Sequence, residues 1–214
     1  MMEPEFWHER WRENNIGFHE GIPNAYLSAH FSQLELPQGS RVFVPLAGKS
    51  VDLAWLEEQG YRVVAIELDE TAVRAFFNEI DVTTLVTDMG SLARYQSGNI
   101  EFYAGDFFDL SHEILGPVDA IYDRAALVAL PEPMRLRYAT QLRSLTDCAP
   151  QLLVSFDYDQ SQTAGPPFSV DRIAIESMYG EYYRKTLLAE SEITGRLAGR
   201  CSGMEQCWLL NPRT

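Results

Sequence analysis

The stretch RVFVPLAGKSVDLAWLEEQGYRVVAIEL (residues 41–68) decides the fold of this chain. It opens with the apolar run Val42-Phe43-Val44, which is typical of a buried strand. After a short turn, Ser50 is placed to cap a helix predicted over residues 51–59. Residues 62–68 form another apolar run and predict a second strand. A strand, a helix and a strand in this order indicate two parallel strands of an α/β sheet.

The turn after the first strand contains Gly48-Lys49-Ser50, which matches the end of a nucleotide-binding P-loop. The full pattern is G-x-x-x-x-G-K-[ST], and its first glycine lets backbone amides curl around a phosphate. Counting back five positions from Gly48 leads to Phe43, inside the strand. The turn therefore lacks a phosphate cradle, and a P-loop nucleotide hydrolase is disfavoured.

The alternation of strands and helices continues along the chain. Further strands are predicted over 100–106, 118–123, 151–158, 182–189 and 204–210, with a small hairpin within 81–99. Helices are predicted over 4–14, 24–36, 69–80, 132–145 and 170–179. We expect one domain over residues 1–214, in which a helical segment (1–36) precedes a sheet core (41–210). Parallel sheets bind ligands beyond the carboxyl ends of their strands, where the strand order reverses.

The composition restricts the partners of this chain. It has 214 residues, a net charge of −14 and only two lysines, a balance that disfavours binding to nucleic acid or to an anionic membrane. No run of about 18 apolar residues predicts a membrane span, and the acidic start is unlike a signal peptide. Three cysteines without a C-x-x-C pair predict no metal site. We expect a cytoplasmic protein, and a monomer because no coiled coil or basic arm is present.

Glu67 is the first candidate binding residue. It ends the second strand, 21 residues after Leu46 in the first turn, and an acid at that point is placed to bind ribose hydroxyls. The alternative is a charge at the start of the next helix. The first turn holds one glycine, Gly48, whereas a dinucleotide's pyrophosphate favours several. This pattern favours S-adenosylmethionine (SAM), which has a ribose and an adenine but no phosphate.

Asp106 and Phe107 follow the strand at 100–106, in AGDFFDL. An acid and an aromatic ring at this place can bind and sandwich an adenine. The alternative is a turn aspartate and a core phenylalanine.

Asp123 and Arg124 end the strand at 118–123, where burying a charge is costly unless it is paired or functional. They can form a structural ion pair. Alternatively, Arg124 faces a cofactor carboxylate or an anionic substrate, for which Lys49 is a second candidate cation.

Aromatic and proline-rich segments supply the remaining candidates. Trp7 and Trp11 are four residues apart and share one face of the first helix, a spacing that is more often plain core. The segment Gly165-Pro166-Pro167-Phe168 can line a flat aromatic pocket or simply fix a turn.

Four separated motifs, EFWHERW…IGFH, VPLAGKSVDLAWLEEQGYRVVAIEL, YDRAALVALP and DYDQSQTAGPPF, together resemble the thiopurine S-methyltransferase family, especially its bacterial members. The resemblance covers about residues 3–210. It implies a Rossmann-like class I methyltransferase fold: a seven-stranded, mostly parallel sheet with an antiparallel last strand, helices on both faces and an N-terminal helical lid. It implies methyl transfer from SAM to the sulfur of thiopurines such as 6-mercaptopurine, leaving S-adenosylhomocysteine (SAH).

The resemblance also implies roles for individual residues. The aromatic helix closes over the cofactor, Glu67 binds the ribose, and Arg124 lies beside both cofactor and substrate, where it orients the substrate anion. The implied cofactor contacts are Trp7, Trp11, Phe18, Leu46, Gly48, Glu67, Asp106, Phe107 and Arg124, and the implied substrate contacts are Phe18, Arg124 and Pro167. The family commonly has cysteine where this chain has Ala47, a difference that the chemistry tolerates.

Two other functions remain open from the sequence. One is a methyltransferase of the same fold that acts on selenium, tellurium or other small nucleophiles. The other is a SAM-binding protein without catalysis, which would bind the cofactor without turnover.

Overall fold

A computed structural model describes residues 4–13 and 20–213. Phe18, a predicted site residue, lies outside these residues. The strands are β1 (Arg41–Val44), β2 (Arg62–Glu67), β3 (Leu85–Asp88), β4 (Ala93–Ser97), β5 (Ile100–Ala104), β6 (Ala120–Asp123), β7 (Gln151–Tyr158), β8 (Tyr183–Glu192) and β9 (Gly203–Pro212). The helices are α1 (Pro4–Arg12), α2 (Ala25–His30), α3 (Asp52–Glu58), α4 (Glu70–Glu79), α5 (His112–Leu115), α6 (Glu132–Leu145), α7 (Arg172–Tyr179) and α8 (Gly195–Ala198).

The nine strands of the described residues form one sheet, in the order β3-β4-β5-β2-β1-β6-β7-β9-β8. The five central strands, from β5 to β7, run parallel. Each edge carries an antiparallel pair, β3 and β4 on one side and β9 and β8 on the other. The fold class is confirmed, but the count of seven strands is wrong. The hairpin predicted within 81–99 forms β3 and β4 and continues the sheet beyond β5.

The central strands carry apolar side chains on both faces, because helices cover both sides of a parallel sheet. Along β1, Phe43 joins one cluster, and Val42 and Val44 join the other. Helices α5, α6 and α7 cover the face of Phe43, and helices α2, α3 and α4 cover the opposite face. The alternation of side chains along each strand therefore supplies two cores from one sheet.

The helical segment before the sheet is shorter than predicted. The helix predicted over 24–36 is α2 followed by a 3₁₀ turn, Phe31–Leu34. Asn24 caps α2, since its side chain accepts hydrogen bonds from the N–H groups of Tyr26 and Leu27. Among the described residues, none of the helices combines the length and apolar character needed to cross a bilayer.

The strand order reverses at β1. The chain passes from β1 to β2 on one side, and β6 later pairs with β1 on the other. The turns after β1 and β6 therefore diverge above the sheet, at the place where α/β proteins bind ligands.

Candidate functional site

A cleft opens between the turn after β1 and the turn after β6. Its lining residues are Val44, Leu46, Ala47, Lys49, Ser50, Asp52, Tyr122, Arg124 and Ala125. The structure thus brings Leu46 and Arg124, two predicted site residues, to the same cleft at the switch point of the sheet.

Both walls of this cleft carry strained backbone. Leu46 has φ of 47° and Ala125 has φ of 62°, in the left-handed region that costs a residue with a Cβ about 1–2 kcal/mol. The first turn is held to the sheet by the N–H of Ala47, which donates to the carbonyl of Ile66 at 2.9 Å. Because strain of this kind concentrates at ligand sites, the pair of strained residues supports the cleft as the functional site.

Glu67 joins the first turn to the start of α4. Its Oε2 accepts a hydrogen bond from the N–H of Gly48 at 2.9 Å, and its Oε1 accepts one from the N–H of Asp69 at 3.1 Å. The residue is only 7% exposed. Burial raises the pKa of Glu67, although the two N–H groups favour its charged form. A carboxylate has about four acceptor positions, so these two bonds leave capacity for a sugar diol.

Helix α1 is fastened to this same edge of the sheet. Nδ1 of His8 lies 2.8 Å from Oδ2 of Asp69, which caps α4. Although burial favours the neutral acid, hydrogen bonds from Thr71 and His8 lower the pKa of Asp69. Trp7 and Trp11 are half-buried on this helix. The structure therefore attaches the aromatic helix close to the end of β2, and its contact with a cofactor stays a prediction.

Asp106 and Phe107 lie at the end of β5, but the phenylalanine points into the core. Asp106 caps a 3₁₀ turn by accepting a hydrogen bond from the N–H of Phe108 at 2.8 Å. The Phe107 ring is 2% exposed and packs against Phe43 and Tyr138, with ring centroids 6.5 Å and 4.9 Å away. The Phe107 ring is therefore placed as a core phenylalanine, the alternative to a ring that sandwiches the adenine. A contact with adenine would be left to Asp106 and the backbone of Phe107, and it stays a prediction.

Asp123 makes its hydrogen bonds away from Arg124. Its carboxylate accepts hydrogen bonds from the Leu127 N–H at 3.1 Å and the Tyr138 hydroxyl at 2.8 Å. Burial raises the pKa of Asp123 to about 6, although these donors favour the charged form. Asp123 therefore accepts hydrogen bonds within the core, whereas Arg124 lines the cleft.

Both cations that line the cleft are ion-paired. Nη2 of Arg124 lies 2.5 Å from Oε1 of Glu20, and Nζ of Lys49 lies 2.5 Å from Oε1 of Glu79. The Arg124 side chain is 13% exposed and that of Glu20 is 45% exposed. Sequence reasoning missed Glu20, because nothing along the chain connects it to a residue more than a hundred positions away.

Asp52 is a second residue that sequence reasoning missed. It is 2% exposed, and its two oxygens accept hydrogen bonds from the Asn24 N–H at 2.8 Å and the Tyr122 hydroxyl at 2.9 Å. Asp52 thereby joins α2, α3 and β6 at the wall of the cleft. The available signal was its position two residues after Ser50, whose hydroxyl accepts a hydrogen bond from the Asp52 N–H at 3.2 Å. Ser50 was the predicted cap of this helix, but the residue at the N-cap of α3 is Val51.

The segment around Pro167 is fastened to the same edge of the sheet. The hydroxyl of Tyr158, at the end of β7, donates to the Pro167 carbonyl at 2.6 Å. The N–H of Phe168 donates to the carbonyl of Val128, in the 3₁₀ turn after β6, at 2.7 Å. The segment thus lies among the carboxyl ends of β6 and β7, and the substrate contact of Pro167 stays a prediction.

No cluster of three or more His, Cys, Asp or Glu side chains that could hold a metal occurs within residues 4–13 and 20–213.

Comparison with known proteins gives one consistent family. The sequence model described as Thiopurine S-methyltransferase matches residues 2–207. The thiopurine S-methyltransferase of Xanthobacter autotrophicus is 49% identical over 210 residues, which cover 98% of this chain and 99% of that protein. The enzyme of the same name from Gluconobacter oxydans is 47% identical over 207 residues, covering 97% and 94%.

Solved structures similar to this fold include SAM-dependent methyltransferases. A SAM-dependent methyltransferase from Anabaena variabilis superimposes with a TM-score of 0.64 at 12% identity, covering 98% of this chain and 95% of that one. The 1,6-didemethyltoxoflavin-N1-methyltransferase of Burkholderia thailandensis, solved with SAH and 1,6-didemethyltoxoflavin bound, gives 0.61 at 14% identity, covering 99% and 92%. At this identity the likeness concerns the fold alone.

Proposed function

This chain belongs to the thiopurine S-methyltransferase family, and we propose that it transfers the methyl group of SAM to the sulfur of thiopurines and similar aromatic thiols. The observation that carries the proposal is Glu67. A buried carboxylate at the tip of β2, bonded to the N–H of Gly48 in a turn without a phosphate cradle, suits a ribose in a ligand that has no phosphate there.

The described residues fit this cofactor. The Glu67 carboxylate would hold the ribose diol, and Asp106 would meet the adenine at the end of β5. Leu46 and Gly48, both with left-handed backbone, would lie against the cofactor through the turn after β1. Arg124 would face the amino-acid end of the cofactor from the opposite wall.

The cofactor supplies, when bound, a methyl group already activated on a sulfonium. The chain's own task is to align the acceptor sulfur with that group, which is catalysis by proximity and orientation. We assign the orienting role to Arg124, because its guanidinium has five N–H donors and can hold Glu20 and a ligand together. The aromatic thiolate needs no strong general base, since its ring delocalises the charge, and no covalent intermediate with the protein is required.

Helix α1 would exclude water from the reacting groups. The contact between His8 and Asp69 fastens this helix next to Glu67, which would carry Trp7 and Trp11 toward the cofactor. Lids of this kind exclude solvent and complete the site when substrate binds. We further propose that the enzyme works as a monomer in the cytoplasm, without nucleic acid or membrane partners, in keeping with its net charge of −14.

The test is a methyl-transfer assay with SAM carrying a labelled methyl group. The purified protein is given 6-mercaptopurine, a small selenol, a phenol or an aromatic amine, and the methylated products are separated. We expect turnover of the thiopurine at a higher kcat/KM than of the phenol or amine. Preference for the selenol would move the natural substrate to selenium chemistry, and SAH binding without any turnover would make the protein a binder rather than an enzyme.

A further inference from the structure

The ion pair between Arg124 and Glu20 stands at the rim of the cleft. Nη2 and Oε1 are 2.5 Å apart, and Arg124 is much the more buried partner. The charge of the guanidinium is thus offset by a carboxylate of the same chain before any ligand arrives.

Glu20 is held from a second side. Its Oε2 accepts a hydrogen bond from Nδ2 of Asn24 at 3.4 Å. Asn24 is itself 5% exposed, caps α2 and donates its N–H to Asp52. The buried Asn24 therefore gives the Glu20 carboxylate a second contact besides Arg124.

A second carboxylate adds to the negative charge around Arg124. Glu205 lies on β9, on the same face of the sheet as the buried Cys207. Its main-chain carbonyl accepts a hydrogen bond from the Tyr26 hydroxyl at 3.0 Å. Burial raises the pKa of Glu205, while the charge of Arg124 opposes that shift and the charge of Glu20 adds to it. The three side chains therefore influence one another electrostatically.

The other cation of the cleft is also compensated. Lys49 is paired with Glu79 at 2.5 Å. A negatively charged group carried into the cleft would meet two cations whose fields are already reduced by carboxylates.

We propose that Glu20 is a specificity-determining residue: by holding and neutralising Arg124, it selects acceptors that carry no negative charge besides that of the reacting sulfur. This inference rests on the proposed methyl transfer. An acceptor with an extra carboxylate has either to displace Glu20 from Arg124 or to lie beside it, and both arrangements oppose binding because like charges repel at close range. A reacting thiolate with delocalised charge meets this barrier only in part.

The test compares two aromatic thiols of nearly equal shape, 4-mercaptobenzoate and methyl 4-mercaptobenzoate. Their ratio of kcat/KM values is measured for the parent enzyme and for Glu20→Gln, which keeps the size of the side chain and one acceptor oxygen but removes its charge. We expect the ratio to shift by about tenfold in favour of the carboxylate-bearing thiol, the size that one partly screened charge contributes.

Two further variants make the result specific. Glu176→Gln removes the same charge from an ion pair with Lys185 at 2.8 Å, outside the described cleft, and should keep the parent ratio. Glu20→Asp retains the charge and should also stay near the parent ratio. An unchanged ratio in Glu20→Gln, or an equal shift in Glu176→Gln, would overturn the proposal.

Failure of the inference is distinct from failure of the proposed function. If the parent methylates neither thiol nor 6-mercaptopurine, the function itself is wrong. If the parent is active and the Glu20→Gln variant is folded with normal SAH affinity, the ratio of kcat/KM values in this variant tests the role of Glu20 alone. Should that variant lose its circular dichroism signal, the retained-charge Glu20→Asp and a Glu20→Ala variant provide the same comparison.

Discussion

Replacing Glu67 with glutamine perturbs the proposed ribose site while keeping its shape. In the parent, both carboxylate oxygens accept backbone N–H bonds, from Gly48 and Asp69. The amide of Glu67→Gln has only one oxygen, so its NH₂ group must face one of these N–H donors. A ribose diol would also lose a charged acceptor. One hydrogen bond to a charged group is worth about 1.5–3 kcal/mol, so the loss of one such bond should weaken SAH binding by about 10- to 150-fold.

The assay is isothermal titration of the parent and the variant with SAH. Glu101→Gln serves as the control, because Glu101 forms an ion pair with Arg41 away from the cleft. The SAH affinity of this control variant should equal that of the parent. Circular dichroism reports whether Glu67→Gln retains the sheet. An SAH affinity within about threefold of the parent in a folded Glu67→Gln protein would refute the ribose role, since that change is far below the estimated loss.

Three further predictions address Arg124, α1 and the core. Arg124→Ala should lower kcat for 6-mercaptopurine by about tenfold or more with an unchanged circular dichroism spectrum, because orientation is lost; parent-level kcat would exclude the orienting role. His8→Ala removes the contact with Asp69 and should weaken SAH binding by about three- to tenfold while the free energy of unfolding changes by less than about 1 kcal/mol; unchanged titration curves would contradict the lid. Burial raises the pKa of Asp123 from 3.8 to about 6, so its stabilising contribution is fully present below about pH 4 and is lost as the pH rises through about 6. Relative to Asp123→Asn, the parent's free energy of unfolding in urea should therefore fall by about 3 kcal/mol between pH 4 and pH 7, and a pH-independent difference would show that Asp123 is not the group that titrates.

The sheet was predictable because its signals are local. Apolar runs such as Val42-Phe43-Val44, punctuated by turns and helical patterns, specify strands without knowledge of their neighbours. A small hairpin was also predicted within 81–99, although that segment is less regular. That it would add two strands to the sheet was not predictable, because the pairing of β4 with β5 depends on contacts between separate segments.

A site residue was predictable where its position at the end of a strand fixes its location at the edge of the sheet. Glu67 and Arg124 each come at the carboxyl end of a strand and therefore reach the same edge. The direction of Phe107 depended on packing against Tyr138 of α6, which no local pattern reveals. Glu20 and Asp52 were missed because their partners are distant in sequence, and a polar residue near a helix start usually needs no such partner.

The most direct test of the account is a crystal structure of the full chain with SAH bound. We expect SAH in the cleft between the turns after β1 and β6, with its ribose hydroxyls within hydrogen-bond distance of the Glu67 carboxylate and its amino-acid end facing Arg124. SAH bound elsewhere on the sheet, or in this cleft with its ribose away from Glu67, would contradict it.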